Sequence, residues 1–258
     1  MSPSTIYLVT GANRERGIGF ALVSLILSKH SDAFVYATVR DPSKPSRLDE
    51  LKEKYPTRIA VVKWIATDVA VNRELAKEIE QRHGRVDTVI GNAAIIGGNN
   101  QIRDIKLSDM EEHFQVNVLS HIVLFQELYA LLRKSSTPRF IPITSIAGSI
   151  GEPAIELDMA NTAYASSKTT LNWITRKLHF ENEWLVTFPL SPGGVDTDMF
   201  DYTRETDKTG VVANLVAKYG DFPKADTAAP LLLDIIDGST REKDGGQFIN
   251  LDGRRVPW

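Results

Sequence analysis

Cysteine is absent from this chain, which excludes disulfides, thiolate ligands and thiol nucleophiles and favours a reducing compartment. Histidine is scarce. His30, His83, His113, His121 and His179 show no H-x-x-x-H or His/carboxylate ligand spacing, so they read as surface or core residues and no metal is implied. No G-x-S-x-G elbow is present, which argues against a hydrolase. No apolar run is long enough to span a bilayer, and Met1-Ser2-Pro3-Ser4 leads straight into a strand pattern without a signal peptide. The expectation is a cytoplasmic protein with no membrane partner. A formal charge of −3 gives no reason to invoke nucleic acid. Repeats, low-complexity segments and Gly/Pro/Ser-rich linkers are also missing. The 258 residues, 42% of them hydrophobic, therefore suit one α/β domain spanning residues 1–258.

What is present is alternation. Apolar β-branched runs predict strands near residues 5–10, 34–39, 59–65, 86–91, 139–144, 185–190 and 246–250. Helical periodicity falls between them, near 18–29, 47–54, 71–82, 108–134, 163–182 and 225–236. Right-handed crossovers turn this order into a doubly wound, mostly seven-stranded parallel sheet of the Rossmann type, with helices on both faces. The segment 200–223 breaks the regularity, being charged at first and then briefly helical.

Two short motifs carry chemistry. Ile6-Tyr7-Leu8-Val9-Thr10 ends at Gly11, and Gly17-Ile18-Gly19 precedes the apolar-periodic Ala21, Leu22, Leu25 and Ile26. A glycine-rich turn between strand and helix lets backbone N–H groups approach a pyrophosphate at the helix start. The same pattern also serves as a tight turn with no ligand. No lysine follows Gly17, which excludes a Walker phosphate loop. In Tyr164-Ala165-Ser166-Ser167-Lys168, the tyrosine and lysine lie one turn apart on one helix face. An ammonium near a phenol favours the phenolate and draws a pKa of about 10 toward neutrality. Such a group can give a proton in a carbonyl reduction, although Y-x-x-x-K also arises by chance on solvated helices.

Together, Thr10-Gly11…Gly17-Ile18-Gly19 and Tyr164…Lys168 resemble the compact branch of the short-chain dehydrogenase/reductase family. Further segments match in the family's order over nearly the whole chain. Gly91-Asn92-Ala93-Ala94 looks like its N-N-A-G signature, Asn117 like its helix asparagine and Ser145 like its active-site serine. Pro192-Gly193 with Val195-Asp196-Thr197 resembles the segment that closes over the nicotinamide. The ending from Asp244-Gly245-Gly246 to Pro257-Trp258 is similar to carbonyl reductases of the sniffer and C-factor type. Thr10-Gly11-Ala12-Asn13-Arg14 resembles these and the fungal norsolorinic acid-type ketoreductases.

The resemblance implies a reductase of a ketone or aldehyde that takes its hydride from NADPH, with a small-molecule carbonyl substrate. Ser145 would hold the carbonyl oxygen, Tyr164 would protonate it, Lys168 would lower the Tyr164 pKa and hold the nicotinamide ribose, and Asn117 would position Lys168 through a water. The implied cofactor-binding set is Gly11, Asn13, Arg14, Arg16, Gly17, Ile18, Gly19, Arg40, Asp68, Val69, Asn92, Ala93, Tyr164, Lys168, Pro192, Gly193, Val195 and Thr197. The choice of NADP over NAD rests on Arg40, which follows the strand 34–39 where an acid would bind a ribose 2′-hydroxyl. Arg14 and Arg16 add positive charge on the same side. Arg40 paired with Asp41 or turned to solvent is the open alternative, and Asp68 can equally be a plain loop aspartate.

Several features depart from the family's pattern. Five residues separate Gly11 from Gly17 where three are usual, so Arg14, Glu15 and Arg16 either bulge outward or distort the turn. A longer gap between Ser145 and Tyr164 implies an extra loop over 151–161, where Ile150, Leu157 and Met159 are candidate substrate contacts. Residues 200–223 would form a lid. A homotetramer or homodimer would pack through the helices at 108–134 and 163–182. A cofactor-binding sensor without catalysis, or an NAD-linked alcohol oxidant, are the competing functions.

Overall fold

The computed structural model describes residues 5–98 and 100–258; Met1 to Ser4, on which the expectation of no signal peptide falls, lie outside them. Its centre is a parallel sheet of five strands in the order β3-β2-β1-β4-β5. These are β1 (Thr5–Val9), β2 (Ala33–Val39), β3 (Ile59–Lys63), β4 (Thr88–Gly91) and β5 (Arg139–Pro142). The order reverses between β1 and β4, and cofactor clefts of doubly wound folds open at such a reversal.

Alternation along β1 divides the core. Tyr7 and Val9 join one apolar cluster with Phe20, Leu22, Ile26, Leu232 and Leu233. Ile6 and Leu8 join the other with Leu75, Ile79, Leu124 and Leu128. The first face is covered by α1 (Ile18–Lys29) packed on α9 (Ala225–Asp237), the second by α3 (Val69–His83) packed on α5 (Ser120–Leu132). Truncating a fully buried residue such as Leu8 to alanine would cost about 2–5 kcal/mol.

The expected seven-stranded sheet is corrected to five strands and a separate parallel pair, β6 (Leu190–Ser191) with β7 (Ile249–Asn250). The join is interrupted by a missing donor. Phe140 N–H donates to Val186 O at 3.0 Å and Thr144 N–H to Leu190 O at 2.8 Å. The residue between them in that alternation is Pro142, which has no N–H, and among the described residues the pairing on this side is reduced to isolated bridges at Arg139–Val186 and Ile143–Leu190.

The single helix expected over 108–134 is also corrected. It is α4 (Leu107–Phe114), a π-helical turn at Gln115–Leu119, and then α5. The segment 200–223 carries α7 (Asp198–Thr206) and α8 (Val211–Tyr219), two helices instead of one brief one. The remaining helices are α2 (Leu48–Lys54), α6 (Thr162–Glu181) and α10 (Arg241–Asp244). Among the described residues no helix is long and apolar enough to cross a membrane.

Candidate active site

Past β1 the chain turns sharply. Gly11 has φ +69°, a left-handed conformation that favours glycine, and a Cβ there would stand 3.0 Å from the Ala93 Cα. Neighbouring strand ends fix the turn. Gly11 N–H donates to Thr38 Oγ1 at 3.3 Å and Ala12 N–H to Thr38 O at 3.1 Å. Asn92 Nδ2 donates to the Thr10 carbonyl at 2.9 Å, and Ala93 N–H donates to Thr10 Oγ1 at 2.9 Å. Asn13 to Arg16 are exposed, while Gly17 N–H closes back onto Arg14 O at 2.9 Å. The two additional residues therefore bulge outward and leave the glycines in place. Gly17 caps α1 with no side-chain hydrogen bond, and no acid lies in the first turn, so the helix N-terminus keeps its positive end for a ligand.

A cleft of about 730 Å³ opens from this turn. Gly11, Asn13, Arg14, Gly17, Ile18, Arg40, Asn92 and Ala93 line it, and Tyr164, Lys168, Pro192 and Thr197 complete its far end. The other expected cofactor residues lie elsewhere. Gly19 is buried beneath Asn92, and Gly193 shapes the loop with φ +67°. Val195 belongs to the core. Asp68 caps α3, accepting from Val71 N–H at 3.0 Å, and together with Val69 it stays out of the cleft wall; Trp64, Ile65, Ala66 and Thr67 line that end instead. The cap was visible in the sequence, because an aspartate just ahead of an apolar-periodic run is an N-cap signal.

The three arginines do not all face the cleft, although Arg14 and Arg16 share Asp198. Arg16 pairs with Asp196 and Asp201, turning toward α7 and away from the cleft. Arg14 and Arg40 remain on the wall. Asp41 accepts from Ser43 N–H at 3.1 Å and Ser43 Oγ at 2.7 Å, so it is engaged away from Arg40.

At the cleft floor, α6 carries Tyr164 and Lys168 one turn apart. Ser145 caps the short turn at Ile146–Gly148, accepting from Ala147 N–H at 3.1 Å, and its side chain lies near Tyr164. Gly148 makes this approach possible, since a Cβ there would meet the Lys168 carbonyl carbon at 2.7 Å. Lys168 is 1% exposed, and its Nζ donates to Ile143 O at 2.8 Å. Burial pushes Lys168 down to about 7. Tyr164 is partly exposed and lines the cleft; desolvation pushes the phenol up to about 12, with Ser145 pulling the other way. The expected lowering of Tyr164 by the Lys168 ammonium does not appear: desolvation raises the phenol, and only Ser145 acts against it.

Asn117 sits in the π-helical turn, fully buried. Its Oδ1 accepts from Ile95 N–H at 2.8 Å, and its Nδ2 donates to Ile95 O and Ser167 Oγ, both at 3.0 Å. The side chain therefore ties the loop after β4 to α6. Thr38, Val39, Glu112, Val116, Ile143, Thr144 and Met199 also line the cleft and were not singled out from sequence; the first two sit at a strand end next to Arg40, which was the available signal. Ile150 and Leu157 are exposed outside the cleft wall.

The family profile for short chain dehydrogenase matches residues 5–208. This chain belongs to that family. Among curated relatives of this short-chain dehydrogenase is the norsolorinic acid ketoreductase of Dothistroma septosporum, 33% identical across all of this chain and 94% of that protein. An NADPH-bound carbonyl reductase from chicken fatty liver superposes with a TM-score of 0.85, at 28% identity and full coverage of both chains. The carbonyl reductase Sniffer of D. melanogaster shares the fold with a TM-score of 0.82 and 22% identity, over 99% of this chain and 100% of that one.

Proposed function

We propose that this short-chain dehydrogenase reduces a ketone or aldehyde at the expense of NADPH. The observation that carries the reading is Tyr164 and the buried Lys168 one helical turn apart, both lining the end of a cleft that begins at the glycine-rich turn, with Ser145 near enough to Tyr164 to draw its pKa down. The wall suits a dinucleotide: an uncapped helix N-terminus for a pyrophosphate, and Arg14 and Arg40 for a 2′-phosphate. The relative bound to NADPH and the relatives named ketoreductases support the same choice.

When bound, the nicotinamide supplies the hydride. Ser145 donates a hydrogen bond to the substrate oxygen and keeps the carbonyl against Tyr164. Tyr164, protonated at neutral pH, passes its proton to the oxygen as negative charge develops there. Lys168 would hold the ribose hydroxyls and carry the return path for the proton. Asn117 acts at one remove, setting the Ile95 loop and α6 at a fixed separation. Helices α7 and α8 form the lid, with Thr197, Asp198 and Met199 at its cleft edge.

The test is NADPH consumption against a panel of ketones, aldehydes and quinones, with NADH in parallel and Tyr164→Phe as control. Turnover with NADPH that collapses in the variant is expected. NADPH binding with no turnover on any carbonyl overturns the reading in favour of a cofactor-binding sensor, and turnover with NADH alone overturns the cofactor choice.

A further inference from the structure

His121 opens the second turn of the helical run that carries Asn117, and it is 3% exposed. Its Nε2 lies 3.0 Å from the Gly91 carbonyl oxygen. A carbonyl can only accept, so the ring nitrogen facing it carries the proton. The same Gly91 oxygen accepts the Ile143 N–H at 2.9 Å, and the Ile143 oxygen accepts Lys168 Nζ at 2.8 Å. The imidazole and the Ile143 N–H therefore share one carbonyl, and the carbonyl on the other side of the Ile143 Cα holds the lysine of the candidate site.

The glycine in this arrangement has a steric reason. Gly91 has no positive φ, so its backbone does not require glycine. A Cβ there would lie 2.7 Å from His121 Cδ2 and 2.9 Å from Nε2. The ring fills the space that a side chain at position 91 would take. On its other side, Nδ1 is 3.2 Å from Ser120 Oγ. Burial first, and the Lys168 charge second, push His121 down to about 4, which keeps the ring neutral and leaves it one N–H to give.

We propose that His121 is a positioning residue for Lys168, acting through the Gly91 and Ile143 peptide groups, and that Gly91 is glycine to admit it. This rests on the reductase reading above for its effect on turnover, but not for its effect on the lysine. Removing the donor leaves the Gly91 carbonyl with the Ile143 N–H as its partner and lets the ends of β4 and β5 shift beneath Lys168. A misplacement of this kind costs about tenfold or more in rate.

The experiment compares His121→Phe, which keeps the volume and deletes the donor, with His121→Gln, which keeps a donor. The first readout is the Lys168 titration, followed by NMR with lysine-selective labelling and with Lys168→Met to assign the signal. The second is kcat against pH for the best carbonyl substrate, beside the Kd for NADPH. The expected result is a shifted Lys168 titration and about a tenfold lower kcat in the phenylalanine variant, with Kd moved less than about threefold and most of the loss recovered by glutamine. Gly91→Ala, which pushes on the ring without removing it, should move the titration in the same way and serves if the phenylalanine variant does not fold. A Lys168 titration unmoved in these variants overturns the proposal, as does a glutamine variant no better than phenylalanine at equal Tm. Wild-type protein that turns over no carbonyl sinks the reductase reading instead and leaves the titration arm intact.

Discussion

The floor and the rim of the cleft use the same kinds of polar residue under different physics. At the floor, Lys168 and Asn117 are 1% and 0% exposed, and their polar atoms bond to main-chain carbonyls, an amide or a neighbouring hydroxyl. At the rim, Arg14, Arg16 and Asp198 keep 62%, 47% and 41% of their side-chain surface in solvent while forming a loose ion-pair cluster. Solvent and salt screen the second set and barely reach the first. Floor contacts therefore set geometry and are costly to break, whereas rim contacts are weak one by one and adjust when a ligand arrives.

The sharpest break of that contrast is Lys168→Met, expected to lower kcat by about a thousandfold or more while raising stability at neutral pH. The folded-state value of about 7 lies below the ordinary 10.5. Between those pH values the unfolded chain binds a proton that the folded chain does not, so stability rises with pH across this window. The cost of burying the lysine is fully present below about pH 7 and is gone above about pH 10.5. Methionine removes that cost but leaves the Ile143 carbonyl without its partner. Calorimetry at pH 6 and pH 10 checks this: the Tm gain over wild type should be several degrees at pH 6 and should vanish or reverse at pH 10. A gain independent of pH would mean that the lysine is not held neutral.

Asn117→Ala comes next. It strips partners from both the N–H and the carbonyl of Ile95, and should cost about 2–4 kcal/mol, lowering Tm by about 4–16 °C. Thermal melts with and without NADPH measure it. A loss confined to kcat, with Tm unchanged, would place Asn117 in the proton path rather than in the scaffold.

Most of the floor was legible in the sequence because it is written in local patterns. The Tyr164–Lys168 spacing, the serine before a glycine-containing turn and the glycine-rich turn after β1 all act within a few residues. The doubly wound order was legible for the same reason, since strand and helix periods alternate. What escaped depends on distance or on a small difference. The bond from Arg16 to Asp201 spans 185 positions, and no spacing rule relates them. The π-helical turn at Gln115–Leu119 differs from an α-helix only in its hydrogen-bond partners, on residues that suit either form. Pro142 and Pro189 were visible as ladder breakers, and weighing them would have reduced the seven-stranded sheet to five strands and a pair.

On the rim, Arg40 and Arg16 test the comparison against each other. Arg40 lines the cleft, so Arg40→Ala should raise KM for NADPH by about ten- to thirtyfold and leave KM for NADH nearly unchanged, as expected for a lost charge-assisted pair. Arg16→Ala should do less. Arg16 is held by Asp196 and Asp201, and exposed pairs of this kind contribute little on their own. Its loss leaves Asp196 without its pair, and leaves Asp198 and Asp201 with only Arg14 and Arg204, which loosens α7 over the cleft. The expected change is a two- to threefold faster release of NADPH, about what a surface electrostatic contact sustains, disappearing at about 1 M salt where charges a few ångströms apart are screened. Stopped-flow release measured at low and high salt reads it directly. If Arg16→Ala instead weakens NADPH more than Arg40→Ala does, and spares NADH, then Arg16 leaves the lid to take the phosphate, and the division between a pairing arginine and a cofactor arginine is reversed.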